Sequence, residues 1–98
     1  MSMLEEALRL TAAMAEKAET ADFESLEAFK SRRDAVLRQA LAGEEGPRRE
    51  RYAVLCRIRE LDAQIVAVLE RERDQAAAAL RRLRSGHQAV SQYLASGA

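Results

Sequence analysis

Cys56 and His87 are the only cysteine and the only histidine in the 98 residues, so the chemistry open to this chain is narrow from the start. A cysteine nucleophile needs a neighbouring base to hold its thiolate. No proton-accepting histidine or lysine flanks Cys56, and helical phasing turns it away from the centre of the apolar stripe described below, as befits a small packing residue. His87 lies on that stripe beside Gly86, with no second histidine and no cysteine at helical spacing, and reads as a partly buried or capping residue. Glu72, also on the stripe, lacks the second convergent carboxylate that acid–base catalysis would use and is expected to pair with an arginine of a neighbouring helix. A lone cysteine makes no internal disulfide, a metal centre needs more converging Cys, His and carboxylate groups than this, and no glycine-rich loop could cradle a phosphate. No catalytic residue, cofactor or metal is therefore expected. Arg81, Arg82 and Arg84 form a basic cluster, but near the expected C-terminus of a helix the dipole alone favours cations. With zero formal net charge and no recognition-helix motif, direct binding of nucleic acid is not expected.

One enzymatic pattern can be weighed against the residues. The run Arg57-Ile58-Arg59-Glu60-Leu61-Asp62-Ala63-Gln64-Ile65-Val66-Ala67-Val68-Leu69-Glu70-Arg71 resembles the first helix of the all-helical chorismate mutases. That fold clamps a dicarboxylate with arginines and a lysine drawn from three helices. Here the matching helix comes last, the later helices have no residues left to build them, and no lysine follows Lys30. The chain reads as a non-enzyme.

The elements that must position any functional surface are helices. Ile58, Leu61, Ile65, Leu69, Glu72, Ala76, Leu80, Leu83, His87, Val90 and Leu94 step by three or four, so residues 52–94 read as one long helix with a seam down one side. Met3, Ala7, Leu10, Met14 and Ala18 share a face of a first amphipathic segment, on which Glu5 and Arg9 are spaced for an i,i+4 ion pair. Asp22 stands where an N-cap would sit, with Glu24 in the following turn, and Phe23, Leu26, Phe29, Val36, Leu37, Ala40 and Leu41 supply a second apolar face. No Gly or Pro separates these segments, so residues 3–41 could be two helices or one bent helix. Gly43, Gly46 and Pro47 punctuate strongly: Gly43 suits a left-handed C-terminal cap and Pro47 the first position of a new helix. The expected helices are thus about 3–18, 22–41 and 47–94, with a hairpin turn at 42–47, a weak stop at Ser85-Gly86 through which the apolar phase continues, and fraying over 96–98.

Composition agrees. Apolar residues make up 48% but only four are aromatic, and the rest are mostly Ala and Leu beside one-third charged residues, the make-up of extended helices. We therefore expect one all-α domain spanning 1–98, an elongated antiparallel helical hairpin or three-helix bundle with one long C-terminal helix. Residues 1–46 hold ten acids and six bases while 47–98 hold six acids and ten bases, a polarity that favours either antiparallel closure or an acidic partner for the basic half. Residues 1–10 contain two acids and no apolar run, so no signal peptide is expected. No window approaches a membrane span, and a cytoplasmic protein without membrane insertion is expected.

The third segment should be about 58 Å long and the first two together about the same, so laying the first two along the third uses both lengths. The seam also changes width. Over residues 54–69 the apolar arc, with Val54, Val66 and Val68, spans about 160°, wider than the roughly 100° that one neighbour needs, and it narrows to about 80° over 72–94. The wide half should touch two helices, or one helix and a client. No heptad runs cleanly through both halves, which argues against a plain two-stranded coiled coil.

In this order and spacing, the segments resemble the flagellar export chaperone family FliT. The resemblance rests on the step Ala21-Asp22-Phe23-Glu24-Ser25-Leu26-Glu27, the long helix over 58–83 with Glu70-Arg71-Glu72-Arg73 at its middle, and the ending Leu83-Arg84-Ser85-Gly86-His87-Gln88-Ala89-Val90-Ser91-Gln92-Tyr93. It covers residues 8–95. It implies a small cytosolic helical protein that binds the C-terminal part of the filament-cap protein FliD, prevents its premature assembly, and helps deliver it to the export ATPase and gate of the flagellar type III apparatus. Some members also restrain the flagellar master transcriptional regulator. Longer relatives carry further sequence after the tyrosine that can cover the client surface, so shielding of that kind is not expected of a sequence ending at Ala98. A client helix anchored at i, i+3, i+4 and i+7 would find spare apolar area on the wide arc: Val54, Ile58, Leu61, Ile65 and Val68 are the expected client residues, with Arg57 and Arg71 on the rim. The alternative is a self-associating structural or regulatory coiled-coil module, a homodimer whose seam is covered by a second copy.

Overall fold

The computed structural model describes residues 2–43 and 46–97 and contains three α-helices: α1 (Met3–Glu19), α2 (Phe23–Ala42) and α3 (Arg48–Ala95). The all-α class expected from composition is the observed one. Two compact units divide the chain at Val68 and Leu69, so α3 contributes its first part to unit 1 and its remainder to unit 2.

In unit 1, local chemistry sets each helix end. The Ser2 side chain accepts from the Glu5 amide at 3.1 Å, and Glu5 and Glu6 fill the first turn of α1 where the dipole favours acids. Arg9 pairs with Glu6 rather than with Glu5, its Nε donating to Glu6 Oε2 at 2.9 Å and its Nη2 to Oε1. One carboxylate three residues back can take both prongs of the guanidinium, which the expected i,i+4 partner does not receive here. Residues 3–42 are two helices, not one bent helix. The Ala21 amide donates to Ala18 O and the Asp22 amide to Lys17 O, at 3.1 and 2.9 Å, the paired bonds of a Schellman cap. That cap needs a left-handed residue, and Ala21 occupies the position at φ 57° although glycine is the usual occupant. Asp22 then caps α2, accepting from the Ser25 amide at 3.2 Å.

The turn expected at 42–47 lies partly outside the described residues, because Glu44 and Glu45 are not among them; so does Ala98 of the expected frayed end. Gly43 is extended (φ −99°, ψ 164°) and not left-handed as expected; Gly46 takes the positive φ, 74°, next to Pro47. Arg51, in the first turn of α3, donates to Gly43 O at 3.2 Å and satisfies a carbonyl at the end of α2.

Unit 1 is an up-down-up bundle with two apolar clusters. Leu4 and Ala7 of α1 meet Ala40 of α2 and Ile58 of α3 at one end. Met14 and Ala18 meet Leu26, Ile65 and Val68 at the other. Both α1 and α2 therefore pack side by side on the same stretch of α3 instead of following one another along its length. The width of the arc explains this, because an apolar face of about 160° accommodates two neighbours at one level. Unit 2 is helix over its residues 69–95, and apart from half-buried Ala78 every described residue in it is exposed. Gly86 lies within α3 without interrupting it.

Candidate functional site

The seven residues expected to meet a client fall into three groups. Ile58, Leu61, Ile65 and Val68 are buried, each at most 7% exposed, inside unit 1. Val54 is half-buried against the cluster of Leu4, Ala7, Ala40 and Ile58. Arg57 and Arg71 are exposed, and Arg57 is held by Glu60 at 3.1 Å. The area around the first four is thus occupied by α1 and α2 of the same chain.

Exposed apolar side chains are scattered in unit 1, at Phe23, Leu41, Tyr52 and Val66, but are aligned in unit 2. Leu80, Leu83, Val90 and Leu94 are 46, 71, 59 and 70% exposed, and Tyr93 is 63% exposed. Leu80, Leu83, Val90 and Leu94 form one stripe with Leu69, Ala76 and His87 at the 3.6-residue repeat, and Tyr93 lies to one side of it. Exposed leucines spaced singly are ordinary, whereas here they line up over several turns of one helix face. His87 is exposed here, not partly buried or capping, and helix continues on both sides of it. Glu72 is exposed as well, without the arginine from a neighbouring helix that its place on the seam suggested. Cys56 is half-buried in unit 1 beside Arg59, Glu60 and Ala63.

A second feature escaped the pattern of apolar residues. Arg33, only 7% exposed, sits between the two clusters of unit 1 and reaches all three helices. Its Nη1 donates to Asp62 Oδ1 and Oδ2 at 2.8 and 3.1 Å and to Thr11 Oγ1 at 3.3 Å, and its Nε donates to Asp34 Oδ1 at 2.8 Å. Thr11 Oγ1 in turn donates to Ala7 O at 2.8 Å. Burial works against the Arg33 charge, yet hydrogen bonds to Asp62 and Asp34 outweigh it and hold the guanidinium above its ordinary value. Partial burial likewise pushes the Asp34 carboxyl up, but hydrogen bonds from Lys30 and Arg33 outweigh it and hold Asp34 below the usual carboxylate range. The signal was present in the spacing: Arg33 falls in step with Leu26, Phe29, Val36 and Ala40, and Thr11 with Ala7, Met14 and Ala18, each a polar residue at a core position. Through these bonds the layer ties α1, α2 and α3 of unit 1 together.

Among the described residues no three His, Cys, Asp or Glu side chains gather where a metal could sit, and no helix is long and apolar enough to cross a membrane. What unit 2 presents is an exposed apolar stripe with Arg73 and Arg84 along one border. No curated protein and no solved structure was found to match the chain. A family model described as "Flagellar protein FliT" matches residues 1–95, nearly the whole length. The chain belongs to the FliT family of flagellar proteins.

Proposed function

We propose that this protein is a cytoplasmic export chaperone of the flagellar type III apparatus whose client is the filament-cap protein FliD. The observation that carries the reading is the uncovered apolar stripe of unit 2 in a chain of this family. A client helix with apolar residues at i, i+3, i+4 and i+7 would bury Leu80, Leu83, Val90 and Leu94, and covering the client's own apolar face would block its premature assembly. Arg71, exposed, falls on the face of α3 away from this stripe. Ile58, Leu61, Ile65 and Val68 would take part only if α1 or α2 moved aside, and Val54 and Arg57 border the bundle of unit 1. Delivery to the export ATPase and gate, and restraint of the flagellar transcriptional regulator, are further activities of the same reading.

Titrating the full chain with the C-terminal part of FliD tests it. Binding should raise the melting temperature with ligand concentration, by mass action. Leu83→Asp should abolish binding while leaving unit 1 folded. Melting that depends on the protein's own concentration, with no response to FliD, would instead support the self-associating coiled-coil module.

A further inference from the structure

We infer that the stripe of unit 2 receives its client only while His87 is neutral, so that docking weakens as pH falls through the range in which imidazole takes up a proton. The inference rests on the docking role proposed above and adds its regulation. His87 stands in the middle of the stripe, four residues after Leu83 and three before Val90, with Leu80 and Leu94 seven residues away on either side. At 100° per residue all five fall within about 80° of one helix face, and all five are exposed. A helix laid on Leu83 and Val90 therefore covers His87 as well. A client anchored at i, i+3, i+4 and i+7 meets the ring with apolar side chains.

The charge pattern of unit 2 makes the protonated ring the unfavourable form under such a cover. Unit 2 is a single helix, so the groups near His87 within it are those of its own turns. Arg84, one turn before, lines a shallow open hollow together with Leu83, His87 and Gln88. A like charge three residues away disfavours an imidazolium. Arg81 and Arg82 fall more than 100° round the helix from His87, and Tyr93 lies across the stripe from Arg84. The nearest acidic side chain in the unit is Asp74, thirteen residues back and about 20 Å along the axis, more than two Debye lengths at physiological salt. No acidic side chain of unit 2 thus offsets the cost of burying the charge. The neutral ring has only one donor and one acceptor, which water at the edge of a narrow stripe satisfies.

Calorimetric titration of the full chain with the C-terminal part of FliD, at about pH 7.5 and about pH 5.5, tests this, with His87→Gln as the variant that cannot take up the proton. Between those values the wild-type affinity should fall about tenfold further than that of His87→Gln, since an imidazole in water is about nine-tenths protonated at pH 5.5. Changes of charge on FliD itself are common to both chains and cancel. His87→Lys should bind weakly at both pH values, and His87→Leu should bind more tightly than the wild type at both, while circular dichroism shows unchanged helicity. Parallel pH profiles for the wild type and His87→Gln, or wild-type binding that tightens toward the lower pH, would overturn the dependence on His87 and leave the docking role standing. No binding of FliD at either pH would overturn both.

Discussion

Arg33 Nη1 lies 2.8 Å from Asp62 Oδ1, and this contact between α2 and α3 joins the two apolar clusters of unit 1 through a buried charge. The Arg33 side chain is 8% exposed and that of Asp62 42%, so the pair is buried on one side only. Removing Asp62 leaves the guanidinium enclosed with Asp34 and Thr11 as its remaining partners. Asp62→Ala is therefore expected to destabilise the protein by about 1–2 kcal/mol, less than a fully buried pair because solvent reaches the carboxylate. The double change Arg33→Met with Asp62→Leu should recover most of that loss in urea melts, since no enclosed charge is left without its partner. A double variant less stable than Asp62→Ala would show that the polar layer contributes net stability.

The direction of the Asp34 shift fixes an acid dependence. Its folded-state carboxyl titrates below the unfolded value, so its contribution is fully present above the unfolded value, near pH 4, and is lost as pH falls through the folded one. Asp22, held low by hydrogen bonds from Ser25, acts in the same sense. Stability should be nearly flat from neutral pH to about pH 5 and fall below about pH 4. Asp34→Asn should make that fall shallower in melts followed from pH 6 downward.

Ala21 is exposed and touches no core, yet its φ of 57° makes it sensitive to side-chain shape. Ala21→Val should cost about 1–2 kcal/mol, because a β-branched residue resists the left-handed region. Ala21→Gly should stabilise by about 0.5 kcal/mol, the relief of the cap exceeding the added freedom of the unfolded chain. Equal stabilities for the two variants, measured by chemical denaturation, would contradict the Schellman geometry between α1 and α2.

Two leucines on the same seam should behave oppositely. Leu61 is 7% exposed and Leu83 71%. Leu61→Ala should cost about 3 kcal/mol through lost burial and the cavity left behind. Leu83→Ala should change stability by no more than about 0.5 kcal/mol, as surface substitutions do, while weakening client binding. A comparable loss of stability at both sites would show that the stripe of unit 2 is covered within the chain.

Gly86 sits in the interior of α3 with open space where a Cβ would project. Gly86→Ala should strengthen the helix of unit 2 by about 0.5–1 kcal/mol, read as slower amide exchange over the residues around it. Unchanged exchange would mean that this stretch is not helical in solution.

The seam residues from Ile58 to Leu94 and the apolar phase of Met3 to Ala18 determined by themselves that the chain is helical and which face is apolar, while whether residues 3–41 form one helix or two stayed open. Periodicity is a local property, set by 3.6 residues per turn, and it is written in the residue types. Which part of the seam is covered was not local. Leu61 and Leu83 occupy equivalent places in the same repeat, and only the side-by-side packing of α1 and α2 on the wide arc made one a core residue and left the other exposed. The positive φ of Ala21 and the burial of Arg33 were likewise decided in three dimensions. A Schellman cap can impose left-handed backbone on a residue other than glycine, and a buried guanidinium is tolerated only where Asp62, Asp34 and Thr11 converge from separate helices and the neighbouring turn.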